Sequence, residues 1–154
     1  MTPSFDLIVD AENWPSEDEL LHVGEQAISS AFTTLGIESS DAFCVLFTDD
    51  AEMLELNTQF RNRASATNVL AFPAADSDVG FLGDIALGQE TVFREAQEKS
   101  IPVIHHIAHL VVHGFLHLQG YDHQTEAEAE QMESLERQAL QNMGIADPYQ
   151  GDQQ

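Results

Sequence analysis

Residues 109–123 read HLVVHGFLHLQGYDH. Because residues four apart on a helix lie on one face, His113 and His117 can contact the same metal ion. Gly120 follows where a left-handed helix end is expected, so the chain can turn back and bring His123 to the same point. Three neutral imidazoles with a free fourth position are typical of a catalytic zinc site. We therefore predict that these three histidines bind one Zn²⁺ ion, or another divalent transition metal.

The spacing of these histidines allows two other interpretations. They can be polar residues on a half-buried helix without any metal. They also match the zinc-protease pattern His-Glu-x-x-His-x-x-Gly-x-x-His, with one difference. Gly114 stands where those enzymes have the glutamate that acts as general base, and glycine has no side chain to take a proton. A zinc peptidase therefore stays an alternative, but it would lack its usual base.

The stretch HGFLHLQGYDH, residues 113–123, closely resembles the signature of the YbeY family, bacterial metal-dependent endoribonucleases that act in ribosomal RNA maturation. Two earlier stretches also resemble that family: LNTQFR at 56–61, continuing through TNVLAFP at 67–73, and LGDIAL at 82–87. The blocks follow the family's order. The resemblance implies a zinc-dependent enzyme that cleaves single-stranded RNA in the cytoplasm, in ribosomal RNA processing and ribosome quality control.

One arginine near the end of the second predicted helix is a candidate catalytic residue. Arg61 has a structural explanation, since a cation at a helix C-terminus complements the helix dipole. The chain has only five basic residues, however, and a guanidinium group suits a phosphate. By resemblance, Arg61 would bind the scissile phosphate or stabilise its charge. The family's usual Lys-Asp-x-Pro-Thr is RASAT here, at residues 63–67, so this loop lacks the family's aspartate and proline.

Asp122 is the second candidate catalytic residue, because it is adjacent to the predicted ligand His123. It can act as a general base, or it can orient His117 or His123 through a hydrogen bond. The nucleophile is open as well, since either activated water or the 2′-hydroxyl of the RNA can attack phosphorus. For His109 we expect a hydrogen bond near the site rather than metal ligation.

The charge of the chain is unusual for a protein that acts on RNA. Five basic and 27 acidic residues give a formal net charge of -22, which should repel a polyanion. Three explanations stay open: a salt-adapted surface, a local positive patch around the metal and Arg61, or delivery to RNA by a protein partner. We expect single-stranded or ribosomal RNA as substrate, ribosomal proteins or assembly factors as further partners, and no DNA. A non-catalytic ribosome-assembly factor with a structural metal is a further alternative.

The length of 154 residues indicates one domain, with residues 145–154 as a flexible tail. No run approaches the roughly 18 apolar residues of a membrane span. The N-terminus carries no secretory pattern, and the single cysteine, Cys44, excludes an intramolecular disulfide. These features predict a cytoplasmic protein without a membrane partner.

Apolar periodicity and capping residues predict elements in the order β-α-β-α-β-β-α-α-α. The predicted strands cover residues 5–9, 43–48, 69–72 and 81–87, and the predicted helices begin at Ser16, Asp49 or Asp50, about Glu90, Pro102 and Thr125. This order predicts an α+β domain, with a small mixed sheet of about four strands packed by about five helices and the metal site on a core helix. No Gly-rich phosphate loop follows a strand, which argues against a Rossmann-type fold.

Two further predictions concern acidic residues. Asp84 lies in the middle of the fourth predicted strand, where a buried carboxylate would need a partner. The glutamates of the last helix are most simply a solvated face. They are Glu126, Glu128, Glu130, Glu133 and Glu136.

Overall fold

The computed structural model describes residues 5–38, 41–61, 67–75 and 80–149, without the side chains of Phe60 and Arg61. Its strands are β1 (Phe5–Val9), β2 (Ala42–Thr48), β3 (Val69–Pro73) and β4 (Phe81–Gly88). Its helices are α1 (Glu17–Leu35), α2 (Asp50–Arg61), α3 (Gln89–Lys99), α4 (Val103–Leu118) and α5 (Glu126–Asn142). These elements, with one four-stranded mixed sheet, confirm the predicted α+β fold.

The sheet has the strand order β1-β2-β4-β3, in which β1, β2 and β4 are parallel and β3 is antiparallel to β4. The connections explain these directions. Parallel neighbours need a long crossover, and α1 supplies it between β1 and β2, while α2 and β3 separate β2 from β4. The strands β3 and β4 follow each other closely in the chain, which permits antiparallel pairing. The register pairs Val45 with Ile85, both buried under the helices on one face.

Helix α4, which carries the histidines, lies in the core of the domain. It contacts α1, α3, α5, β3 and β4. Phe115 packs between Phe32 of α1 and Phe43 of β2, with ring centroids 5.7 and 5.4 Å away. Most apolar residues of α4 beyond its first turn are almost fully buried, among them Ile107, Ala108, Val111, Val112, Phe115 and Leu116. This burial fixes the position of every histidine on α4 relative to the sheet.

The opposite face of the sheet is only partly covered. Met53 of α2 packs there against Leu70 and Ala86. Next to it is a cavity of about 360 Å³, lined by Ile8, Cys44, Leu46, Leu56, Phe72 and Asp84 among others. Strand alternation places Asp84 on this face, because its neighbours in β4 point to the buried face. Asp84 is exposed, so water can solvate its carboxylate, and the burial that would require a partner is not present.

The ends of α1 and α5 confirm the predicted capping residues. The Ser16 Oγ accepts a hydrogen bond from the Glu19 N–H at 3.2 Å, and α1 ends at Gly36 in a left-handed conformation, with φ 70°. Thr125 and Glu128 form a reciprocal capping box at the start of α5. These contacts satisfy backbone N–H groups that have no partner within the helix.

The segment after α5 folds back onto that helix, whereas the sequence predicts a flexible tail from residue 145. Gly144, with φ 77°, allows the reversal, and Ile145 packs against the core. Asp147 pairs with Arg137, with 3.2 Å between Oδ2 and Nε, and the Tyr149 hydroxyl donates to Glu136 at 2.7 Å. Residues 150–154 lie outside the described part of the chain, and the flexible tail over residues 145–154 stays a prediction.

Among the described helices, none is by itself long and apolar enough to cross a membrane. Helices α3 and α4 reach such a length only as a pair, and they are bent by 117° at the break between them. The more apolar of the two, α4, is the buried core helix described above.

Candidate metal centre

The turn that follows α4 brings the third histidine back toward the helix. Gly120 has φ 99°, a left-handed conformation that favours glycine. The Gly120 N–H donates to the carbonyl of His117, and the Tyr121 N–H donates to the carbonyl of Leu116, both at 3.0 Å. This pair of bonds is the Schellman arrangement, which ends a helix and reverses the chain. His123 follows three residues after the glycine.

The structure brings together the three histidines that the sequence predicts as ligands. One nitrogen from each of His113, His117 and His123 can be chosen so that all three lie within 4.8 Å of one another. The ring centroids of His113 and His117 are 4.7 Å apart, and that of His123 lies 5.6 and 5.1 Å from them. His113 and His117 are half-buried, whereas His123 is exposed, so the cluster opens to solvent on one side.

The chemistry of this cluster fits a metal ion. Burial lowers the pKa of His117, and the neighbouring His113 and His123 lower it further. A lowered pKa keeps the imidazole neutral near pH 7, with a lone pair free for a metal. Three imidazoles suit Zn²⁺ and, on the same grounds, other divalent transition metals. The three side chains can therefore hold one such ion.

A buried carboxylate lies directly behind the first of these histidines. Glu136 of α5 is 1% exposed, and its Oε2 is 3.3 Å from Nδ1 of His113. The predicted solvated face of α5 is therefore wrong at this residue. The helical spacing could have predicted this burial, because position 136 lies on the apolar stripe through Met132, Ala139 and Met143.

The other oxygen of Glu136 binds two more groups. Its Oε1 is 2.5 Å from Nε2 of His109 and 2.7 Å from the hydroxyl of Tyr149. His109 thus makes a hydrogen bond near the site, and it lies outside the metal-ligand cluster found among the described residues. Burial alone would raise the pKa of Glu136, but the hydrogen bonds and charges of His109 and His113 hold it at about 2. The carboxylate is therefore ionised at neutral pH and accepts all three bonds.

Asp122 lies beside the third histidine. Its Oδ1 accepts a hydrogen bond from the backbone N–H of His123 at 2.8 Å, and the side chain is half-buried. This bond shapes the turn that carries His123, as aspartate side chains commonly do in turns. The contact agrees with a positioning role, and a role for Asp122 as general base stays a prediction.

Arg61 is the last residue of α2, as expected from the sequence. Its side chain and residues 62–66 lie outside the described part of the chain. The predicted contact between Arg61 and a phosphate therefore stays a prediction.

Gly114 explains why the glutamate of the zinc-protease pattern is absent. It is buried where α4 crosses the sheet, and a Cβ atom added there would lie 2.8 Å from Cγ2 of Ile85. A contact that short requires the strand or the helix to shift. A glutamate at this position would point into the sheet, so the close packing of α4 on β4 excludes the usual peptidase base.

The chain is similar to known proteins in sequence and in fold. A family model described as Endoribonuclease YbeY matches residues 9–144. A protein of that name from Chelativorans sp. (strain BNC1) is 51% identical over 155 residues, which cover 96% of this chain and 95% of that protein. A protein of the same name from Maricaulis maris (strain MCS10) is 45% identical, with 94% and 90% covered. The fold resembles a solution structure from Thermotoga maritima, with a TM-score of 0.58 at 23% identity, covering 94% of this chain and 97% of that one.

Proposed function

Because the chain belongs to the endoribonuclease YbeY family, we propose that it is a metal-dependent RNA endonuclease that cleaves single-stranded RNA during ribosomal RNA maturation. Family membership supports an RNA-cleaving hydrolase. The observation that supports metal dependence is the convergence of His113, His117 and His123 on one point that opens to solvent. The proposal includes zinc as the ion, the cytoplasm as the location, and a part in ribosome quality control.

Each residue of the proposed site has a defined task. The metal ion would be held by His113, His117 and His123, at a cluster that opens to solvent on one side. When bound, Zn²⁺ supplies Lewis acidity and makes water a better nucleophile near neutral pH. Arg61 would bind the scissile phosphate, because a guanidinium group matches two phosphate oxygens. Asp122 would hold His123 in place and accept a proton if the RNA geometry brings one within reach.

The acidity of the protein affects how RNA reaches this site. A formal net charge of -22 opposes the approach of a polyanion at low ionic strength. We therefore propose that ribosomal proteins or assembly factors deliver the RNA, and that isolated RNA is cleaved faster at moderate salt, where repulsion is screened. RNA rather than DNA is the proposed substrate, and no membrane partner is part of the proposal.

The test is cleavage of an end-labelled single-stranded RNA by zinc-loaded protein at low and moderate salt. Cleavage should disappear on chelation and in folded His117→Ala protein. The matched control is His22→Ala, which removes an exposed histidine of α1 and should leave cleavage unchanged. A duplex of the same sequence and a single-stranded DNA should be cut much more slowly.

Two results would contradict the proposal. Metal-loaded, folded wild-type protein that cuts no RNA, alone or with ribosomal subunits, would favour a metal with a structural role. Cleavage of casein without cleavage of RNA would revive the peptidase interpretation, despite Gly114.

A further inference from the structure

The hydrogen bonds of Glu136 connect a metal ligand to the protein interior. This carboxylate lies between α5 and α4 and is almost completely removed from water. It accepts from His113 through one oxygen and from His109 and Tyr149 through the other. All three donors therefore contact a single buried side chain. His113, the nearer of the two donors in α4, is 23 residues away from it in the sequence.

Stability alone does not explain this arrangement. Moving a carboxylate out of water is costly, and a buried ionic group can often be replaced by packed apolar side chains without loss of stability. The neighbouring positions of the same stripe, Met132 and Ala139, are apolar and fully buried. An apolar residue at position 136 would thus continue the stripe. A charged group in its place indicates a task beyond packing.

That task follows from the chemistry of imidazole. A neutral histidine carries its proton on one of its two nitrogens, and a metal binds only the nitrogen without it. Oε2 of Glu136 lies 3.3 Å from Nδ1 of His113, and a carboxylate accepts hydrogen bonds, so the contact favours the proton on Nδ1 and the lone pair on Nε2. The contact thereby selects the tautomer of His113 that can bind a metal through Nε2, and it also limits rotation of the ring.

We propose that Glu136 is a positioning residue of the metal centre, which holds His113 in the tautomer and orientation that present Nε2 to the ion. His109 and Tyr149 in turn hold the carboxylate. This inference rests on the metal site of the proposed function but does not depend on its RNA substrate.

The segment after α5 is part of this support. Tyr149 donates its hydroxyl to Glu136, and burial, together with the charge of Glu136, raises the pKa of Tyr149, which keeps the phenol protonated. Arg137 lies over the Tyr149 ring, with 5.3 Å from Cζ to the ring centroid, and pairs with Asp147. These contacts hold residues 147–149 against α5. The C-terminal segment therefore stabilises the metal centre from behind, although it contributes no ligand.

The experiment is titration of the metal-free protein with Co²⁺, which reports affinity and, through its d–d absorption, the geometry of the site. In Glu136→Gln, the amide can pair with either tautomer of His113, so the affinity should fall about 10–100-fold, the usual effect of losing such a partner. The d–d spectrum should also change. Tyr149→Phe keeps the carboxylate but removes one donor, so its loss should be smaller and in the same direction.

The matched control is Glu130→Gln, which makes the same chemical change at an exposed position of α5 and should bind Co²⁺ as the wild type does. Circular dichroism and thermal unfolding in chelator establish that each variant folds. If Glu136→Gln does not fold, Tyr149→Phe decides the question.

Folded variants with wild-type affinity and spectrum would overturn the inference. Weakened Co²⁺ binding in a protein that cuts no RNA would instead retain the positioning role and reject the proposed substrate. The two proposals can therefore fail separately.

Discussion

Two buried histidines of helix α4, about one turn apart, contact carboxylates that serve different parts of the molecule. His106 contacts Glu95 of α3, with 2.9 Å between Nε2 and Oε1, and His109 contacts Glu136 of α5 at 2.5 Å. The second partner of each carboxylate differs. Glu95 also accepts from the side chain of Asn68 at 3.0 Å, whereas Glu136 also accepts from the predicted metal ligand His113. The first contact anchors the start of β3, and the second supports the candidate metal centre.

The two carboxylates also differ in exposure. The side chain of Glu95 is 30% exposed, and that of Glu136 is 1% exposed. In both, burial alone would raise the pKa, and hydrogen bonds from histidine lower it. A histidine–carboxylate pair is therefore not by itself a functional signal. The second hydrogen-bond partner of the carboxylate distinguishes a structural pair from a pair that supports a metal site.

The largest expected effect is on Zn²⁺ affinity, and it compares a predicted ligand with a structural histidine on the same helix. His117→Ala should weaken Zn²⁺ binding by more than the ~100-fold that loss of an outer hydrogen-bond partner costs, because it removes a ligand. His106→Gln keeps a donor for Glu95 and should retain wild-type affinity. Competition against a zinc-sensitive dye measures both. Equal affinities in the two variants would contradict the assignment of the site.

The next effect compares the carboxylates in the metal-free protein. Glu136→Ala leaves one buried donor, His109, and two half-buried donors, His113 and Tyr149, without their acceptor, and should lower the free energy of unfolding by about 3–5 kcal/mol. Glu95→Ala should cost about 1–2 kcal/mol, since water can reach this partly exposed position. Urea unfolding at pH 7 gives both values. A loss for Glu95→Ala as large as that for Glu136→Ala would show that the exposure of the carboxylate does not set its contribution to stability.

A smaller effect is expected where α4 crosses the sheet beside His113. In Gly114→Ala the new Cβ would lie 2.8 Å from Ile85, and overpacking of this kind costs about 1–3 kcal/mol. Better helix propensity offsets up to about 1 kcal/mol. We expect a net loss of stability, with weaker Co²⁺ binding because the helix must move next to His113. A variant as stable as the wild type would show that the helix shifts freely.

The smallest effect is a pH dependence at the structural pair. Because hydrogen bonds from His106 and Asn68 lower the pKa of Glu95 below its ordinary value of 4.5 in the folded protein, the ionised group stabilises the fold fully above that pH. This contribution is lost as the pH falls through the folded pKa. The difference in unfolding free energy between wild type and Glu95→Gln should therefore shrink below pH 4.5.

Urea unfolding at several pH values between 7 and 3 measures this difference, and subtracting the two proteins cancels most other titrating groups. A difference that stays constant through this range would show that Glu95 has its ordinary pKa in the fold. The corresponding loss for Glu136, with a pKa of about 2, should extend to lower pH.

The order of helices and strands, the capping residues and the three-histidine cluster could all be predicted from the sequence. Each depends on neighbours within a few residues: an apolar period, a capping side chain, or a glycine that permits a left-handed turn. His113, His117 and His123 lie within eleven residues, so one helix and one turn suffice to bring them together. Local sequence patterns therefore predict the three histidines of the candidate site but not the residues that pack around them.

Only the tertiary structure decided which polar residues are buried. The sequence predicts a solvated Glu136 and leaves the burial of Asp84 undecided, since a helix period or a strand alternation predicts two faces but not which element covers them. The packing of α5 against α4 buries Glu136, whereas Asp84 is exposed on the opposite face of the sheet. Contacts between residues far apart in the chain depend on the shape and docking of whole elements, and no local pattern encodes that docking.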